Sequence, residues 1–70
     1  MNKVIANMAG TVWKVLVNKG EQVQTGQEIV ILESMKMAIP VQANLSGVVK
    51  EIKVLENDFV NEGDVLVELI

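Results

Sequence analysis

The chain contains no cysteine, no histidine and no arginine, and only two of its 70 residues, one tryptophan and one phenylalanine, are aromatic. Without thiols or imidazoles, we expect no disulfide, no thiolate metal site and no conventional hydrolase chemistry. Six lysines stand against nine acidic residues, and this acidic balance with so few stacking side chains argues against nucleic-acid binding. The sequence has neither a basic leader nor an apolar run of about 18 residues, so we expect no membrane span, no secretion and a cytoplasmic location.

What the chain does contain is an internal repeat. Residues 1–33 align with residues 38–70 without a gap, and glycines align with glycines as well as valines with valines. Paired glycines favour a duplication over a shared β-rich composition. We therefore expect one small domain over residues 1–70, made of two halves that residues 34–37 join. The ten identical pairs are Val4/Val41, Ala6/Ala43, Asn7/Asn44, Gly10/Gly47, Val12/Val49, Val17/Val54, Val23/Val60, Gly26/Gly63, Val30/Val67 and Leu32/Leu69.

Each half predicts short β-strands, because β-branched runs alternate with glycine-containing turns and no segment shows a helical period. The polar connections 18–26 and 55–63 each carry one valine, Val23 or Val60, which we expect to anchor the connection to the core. Each half is too small to bury its own apolar face, so the halves are predicted to pack together as a sandwich or flattened barrel with quasi-twofold symmetry. The predicted strands span residues 4–7, 11–17, 28–32, 39–43, 48–54 and 65–70.

Residues 34–37 belong to neither copy and lie at the midpoint of the chain. The symmetry places Met35-Lys36 at the tip of a hairpin at one end of the barrel and both termini at the other end. Two-residue hairpin turns favour glycine, asparagine or aspartate, because their central positions need positive φ, and Met35-Lys36 suits this requirement poorly. Either Lys36 is a solvated loop charge, with Met35 and Met37 filling gaps at the edge of the core, or the turn is a functional site.

The hairpin has the sequence Glu33-Ser34-Met35-Lys36-Met37, followed by Ala38 and Pro40. This sequence resembles the biotin-attachment motif of biotin carboxyl carrier domains, which are members of the biotinyl/lipoyl attachment family. The likeness covers essentially the whole chain, and residues 43–47 resemble the family's segment before the second long strand. It implies an all-β fold, a flattened barrel of two four-stranded antiparallel sheets with quasi-twofold symmetry.

The same resemblance implies that Lys36 carries covalent biotin, that Met35 and Met37 are recognised by partner proteins, and that Glu33 and Ser34 flank the motif. Ser34 departs from the alanine that is commonest in the family at this position. No alanine- and proline-rich linker and no protruding thumb is apparent in the sequence. We therefore expect a free-standing carrier whose partner enzymes are separate chains.

A carrier of this kind is not an enzyme. The resemblance implies that a biotin protein ligase attaches biotin and that the arm serves a biotin carboxylase and a carboxyltransferase, with the carrier itself expected to be a monomer. Two alternatives stay open: a lipoyl carrier modified at the same lysine, and an unmodified interaction module. Lipoyl motifs usually have aspartate before the lysine and alanine after it, so the two methionines favour biotin over lipoate.

Trp13 and a set of acidic residues are interpreted as structural rather than functional. Trp13 is predicted to pack at the margin of a sheet rather than to form a platform for a ligand. A set of acidic residues is interpreted as solvated surface charge rather than as a catalytic pair, because the repeat places most of them in loops or on outward faces. They are Glu33, Glu51, Glu56, Asp58 and Glu68.

Overall fold

The computed structural model describes residues 2–70, which form eight short β-strands and no helix. Within these residues there is accordingly no helix of the length and hydropathy needed to cross a membrane. Strands alternate with tight turns because β-branched runs are interrupted by glycine, asparagine and aspartate. The strands are β1 (Asn2–Ile5), β2 (Gly10–Val15), β3 (Gln22–Val23), β4 (Glu28–Ser34), β5 (Met37–Gln42), β6 (Gly47–Ile52), β7 (Phe59–Val60) and β8 (Val65–Leu69).

The strands form two four-stranded antiparallel sheets around a shared core. The hairpin sheet has the order β5-β4-β2-β7, and the terminal sheet, which contains the first and last strands, has the order β1-β8-β6-β3. Each sheet takes two strands from each half of the chain, so the halves interleave rather than stand side by side. The predicted all-β fold of two four-stranded sheets is confirmed.

Irregularities in the strands repeat with the same symmetry. Trp13 is an extra residue of β2 opposite β4, and Lys50 is the equivalent extra residue of β6 opposite β8. Ile29 of β4 and Leu66 of β8 form a second matched pair of bulges. A bulge shifts the alternation of faces by one residue, which is why the neighbours Ile29 and Val30 are both buried. β7 pairs only with Gly10 and Thr11 of β2, so Trp13 lies at the margin of the sheet as predicted, but it is 51% exposed.

The core is as symmetric as the backbone. Sixteen apolar side chains of residues 2–70 are buried, and they fall into eight pairs related by the repeat. Seven pairs are identical and the eighth is Ile29 with Leu66, so most of the identity between the halves records the packing of the core. The identical buried pairs are Val4/Val41, Ala6/Ala43, Val12/Val49, Val17/Val54, Val23/Val60, Val30/Val67 and Leu32/Leu69.

The two-residue strands β3 and β7 are absent from the strands predicted by sequence patterns, since two residues are too few to show a period. β3 pairs with β6, and β7 pairs with β2. The prediction that Val23 and Val60 anchor these connections is confirmed, because both are buried. Gly20 and Asn57, which the repeat aligns, adopt φ of 89° and 80°, and both residue types tolerate this left-handed conformation.

Candidate functional site

A two-residue turn, Met35-Lys36, joins β4 to β5 at the tip of the hairpin. The φ angles of Met35 and Lys36 are 53° and 63°, as a type I′ hairpin turn requires at both central positions. Of the non-glycine residues between 2 and 70, only these two and Asn57 have positive φ. The left-handed conformation costs an ordinary side chain roughly 1–2 kcal/mol. The expected conflict between the turn and its residues is therefore present in the structure.

Strand pairing continues to the edge of this turn, which makes the hairpin a firm support. Ser34 pairs with Met37 and Glu33 pairs with Ala38, the last two pairs before the tip. On its other side β4 pairs with β2, where Thr11 lies opposite Glu33. Because β4 has a partner on both sides up to this point, the tip is held close to a single position.

The three central side chains of the motif project into solvent. Met35 is 91% exposed and Met37 is 62% exposed, and Lys36 and Glu33 are exposed while Ser34 is half-buried. The interpretation that the methionines fill gaps at the edge of the core is therefore wrong. Large apolar side chains left this accessible commonly mark a contact surface for another molecule.

The Lys36 ammonium group has no hydrogen-bond or ion-pair partner among residues 2–70. A primary amine at this position can be acylated, but none of the described residues contacts it as a base or stabilises a developing oxyanion. Nor do residues 2–70 contain a cluster of three metal-ligating side chains. Reaction at Lys36 therefore needs catalytic groups that another molecule brings to the hairpin.

Two open clefts on the surface contain neither Met35, Lys36 nor Met37. One is lined by equivalent residues of the two halves, including the pairs Val4/Val41 and Ile5/Gln42. The other is likewise lined by the pairs Val15/Ile52 and Val17/Val54. Both clefts thus follow from the symmetry of the barrel, and the candidate site is an exposed apex rather than a pocket.

Gly10 of β2 allows β2 to approach β4 closely near the hairpin tip, because a Cβ atom at this position would lie 2.8 Å from the carbonyl oxygen of Glu33. We expect Gly10→Ala to lower the free energy of unfolding by about 1–3 kcal/mol, since β4 is paired on both sides and cannot easily move away. Urea unfolding followed by circular dichroism measures the change.

Gly47 provides the matched control, since the repeat relates it to Gly10. A Cβ atom on Gly47 would lie 2.8 Å from the carbonyl oxygen of Ile70, which follows the end of β8. Ile70 lies just beyond β8, whereas Glu33 lies within β4 and has a paired residue on each side. We therefore expect Gly47→Ala to cost less stability than Gly10→Ala. Equal losses in the two variants would show that β4 does not impose the constraint.

Known proteins are similar to this chain in both sequence and fold. Residues 2–69 match the family described as "Biotin-requiring enzyme". The biotin/lipoyl attachment protein of Bacillus subtilis (strain 168) is 62% identical over 66 residues, which cover 94% of this chain and 90% of that protein. At the level of sequence, the similarity thus extends over nearly the whole of both chains.

Two solved structures show the same architecture. The urea carboxylase of Kluyveromyces lactis matches 97% of this chain with 29% identity and a TM-score of 0.90, and the match spans 6% of the enzyme. The lipoyl domain of the 2-oxoglutarate dehydrogenase complex from Azotobacter vinelandii matches 100% of this chain and 96% of its own, with 30% identity and a TM-score of 0.78. The same barrel therefore occurs both within a carboxylase and as a lipoyl domain.

Proposed function

The chain belongs to the biotin/lipoyl attachment family, whose members are non-catalytic carrier domains, and on that premise we propose that it carries biotin on Lys36. In this proposal the biotin arm moves a carboxyl group between a biotin carboxylase and a carboxyltransferase. A biotin protein ligase attaches the arm. The carrier acts as a cytoplasmic monomer.

The observation that supports Lys36 most strongly is the form of the hairpin tip. An unpartnered amine stands between two exposed methionines, in a turn whose two central residues both have unfavourable φ. Stability alone favours asparagine and glycine in these two positions. The presence of Met35 and Lys36 at these two positions is therefore best explained by a role in attachment.

The residues of the hairpin fit a covalently attached arm. In this proposal an amide bond would form between Nζ of Lys36 and the carboxyl carbon of biotin. The ligase would activate the carboxylate with ATP, the displaced carboxylate oxygen would leave on a phosphate group of the cleaved ATP, and the lysine would lose its positive charge as its nitrogen gives up protons. When bound, biotin supplies a ureido ring that takes up a carboxyl group at one active site and releases it at another. The chain itself anchors the arm on paired strands and raises its effective concentration near both enzymes.

Lipoate is the second candidate, and a specific observation favours it. The lipoyl domain of a 2-oxoglutarate dehydrogenase complex matches the chain almost end to end, and the name of the Bacillus subtilis relative includes both cofactors. An exposed lysine at a type I′ turn suits either acyl group, since both form the same amide. The methionines on both sides of Lys36 favour biotin as the first choice.

The mass of the intact protein from its own host tests this proposal, with fragment spectra to locate any adduct. We expect the added mass of one biotinyl group, located on Lys36. A lipoyl mass on the same residue would replace the proposed cofactor and retain the carrier. An unmodified Lys36 in cells with active ligase and sufficient biotin would instead support the interaction module.

A further inference from the structure

The outer faces of the two sheets are related by the quasi-twofold symmetry, so each residue on one face has an equivalent on the other. On the hairpin sheet, Ile31 pairs with Pro40 on one side and with Lys14 on the other. The equivalent row on the terminal sheet is Lys3, Glu68 and Glu51. One backbone arrangement thus carries a mostly apolar row on the hairpin sheet and a fully charged row on the terminal sheet.

The only two aromatic residues of the chain extend this apolar surface. Phe59 is 66% exposed and Trp13 is 51% exposed, whereas the aromatic residues of a small domain usually contribute to its core. Phe59 lies opposite Thr11 of β2, and Nζ of Lys14 lies 5.7 Å from the centroid of the Trp13 ring. Both aromatic side chains therefore belong to the outer face of the hairpin sheet.

We call the four residues Trp13, Ile31, Pro40 and Phe59 the aromatic strip. Their equivalents on the terminal sheet are Lys50, Glu68, Lys3 and Gln22, all of them polar. The same fold therefore accepts a polar side chain at each of these four positions. The stability of the barrel does not explain the apolar strip, which indicates a surface that another molecule covers.

The row nearest the turn also contains Phe59, but its two central positions show the opposite preference. Glu33 and Thr11 lie in this row of the hairpin sheet, and their equivalents on the terminal sheet are Ile70 and Val48. The hairpin sheet is therefore not simply the more apolar of the two. Glu33 and Thr11 lie in the same row as Phe59 and between the exposed methionines at the tip and the Ile31–Pro40 pair, so the molecule that covers the aromatic strip must also accommodate these two polar residues.

We infer that the aromatic strip and the hairpin tip form one docking surface for the ligase that acylates Lys36, an inference that rests on the proposed function. An unmodified lysine side chain reaches only about 6 Å beyond its Cα atom. The ligase must therefore come into direct contact with the hairpin before Nζ can enter its active site. Enzymes that use the finished arm act from farther away, so the short reach favours the ligase as the occupant of the strip.

The dimensions of the sheet agree with this occupant. The Ile31–Pro40 pair lies three pairs below the Ser34–Met37 pair, which corresponds to about 10 Å along the strands. A globular enzyme that receives the tip of the hairpin also covers this part of the sheet. Lys14, the one cation in the row, calls for an acidic group on an otherwise apolar enzyme surface.

The inference can be tested by replacing residues of the aromatic strip with the residues at the equivalent positions of the terminal sheet, which the same fold already accepts. Phe59→Gln and Ile31→Glu each install the residue that stands at the equivalent position of the terminal sheet. Val48→Thr is the matched control, since it removes an apolar side chain of 37% exposure and installs the residue found at position 11. Circular dichroism and amide NMR spectra establish that each full-length variant is folded.

The measurement is the initial rate of labelling by a purified biotin protein ligase with biotin and ATP. We expect the double variant, Ile31→Glu with Phe59→Gln, to raise KM for the carrier by about tenfold or more, as the loss of interface anchors does. We expect kcat to change less than about twofold, because Lys36 and its turn are intact. Phe59→Gln alone, the milder change, should raise KM by a smaller factor, and Val48→Thr should leave KM unchanged.

Four results would overturn the inference, and they identify which premise failed. If the parent is labelled normally and the folded double variant has an unchanged KM, the strip is not a docking surface for the ligase, and the proposed carrier function stands. If labelling of the double variant is unchanged but carboxyl transfer by its biotinylated form is impaired, the strip binds a carboxylase instead. Self-association of the parent that the double variant loses, seen by sedimentation, assigns the strip to a second copy. Absence of any labelling of the parent refutes the proposed biotin carrier itself.

Discussion

The Lys36→Arg variant is expected to fold as the parent does and to carry no biotin. Arginine keeps the positive charge, and its exposed side chain has no partner to lose at this position. The guanidinium group stays protonated in proteins and offers no free amine for acylation. We therefore expect complete loss of modification, measured by intact mass after coexpression with a biotin protein ligase, with unfolding in urea unchanged.

Lys3→Arg is the control for this experiment. Lys3 is also exposed and lies in β1 of the terminal sheet, so it tests whether the loss is specific to the hairpin. The control variant should be labelled as fully as the parent. Modification that persists on the Lys36→Arg variant would end the proposal that Lys36 is the attachment site, and the fragment spectrum would then locate the lysine that is used.

The double variant Met35→Asn with Lys36→Gly is expected to be more stable than the parent and to be unmodified. Both parent residues have positive φ, at roughly 1–2 kcal/mol each, and an Asn-Gly pair favours this turn. Glycine adds entropy to the unfolded chain, which offsets part of the gain. We expect the free energy of unfolding to rise by about 2 kcal/mol, measured by urea unfolding with the m-value unchanged.

Asn57→Gly separates relief of strain from a general effect of glycine. Asn57 has a φ of 80°, yet asparagine already tolerates this conformation, so we expect a change within about 0.5 kcal/mol. Met35→Gly retains Lys36 and tests the methionine separately: its stability should rise, and its labelling should slow if the ligase contacts Met35. A double turn variant no more stable than the parent would show that the parent turn stores no strain.

Together these two results would show that Met35 and Lys36 are needed for modification and lower the stability of the turn that contains them. Active and binding sites commonly contain residues that local rules disfavour. Among residues 2–70 the disfavoured residues are confined to two neighbouring positions, Met35 and Lys36. The strands on either side have ordinary pairing, so the strain is supported without distortion of the barrel.

The repeat in the sequence predicts the core and the place of the hairpin, as particular residues show. Valine pairs such as Val12/Val49 are identical because equivalent interior positions impose the same volume on both halves. Leu32 and Leu69, another identical pair, are both fully buried. Met35-Lys36 stands outside the repeat, which alone places it at the junction of the halves.

Patterns in the sequence do not predict the bulges or the two-residue strands. Trp13 and Lys50 have no common chemistry, so nothing in the sequence indicates that both are extra residues in equivalent strands. Phe59 belongs to a strand of two residues that is visible only through its pairing with β2. Bulges and short edges depend on the partner strand, and a partner distant in sequence leaves no local pattern.

The sequence by itself determined the β-rich duplication, the inward-facing residues and the singular lysine between two methionines, because each depends on residue type and spacing along the chain. The tertiary structure alone decided the common outer face of Trp13, Ile31, Pro40 and Phe59. Strand order brings these four side chains together from distant parts of the chain. Their proximity is a property of long-range pairing, which no window of the sequence contains.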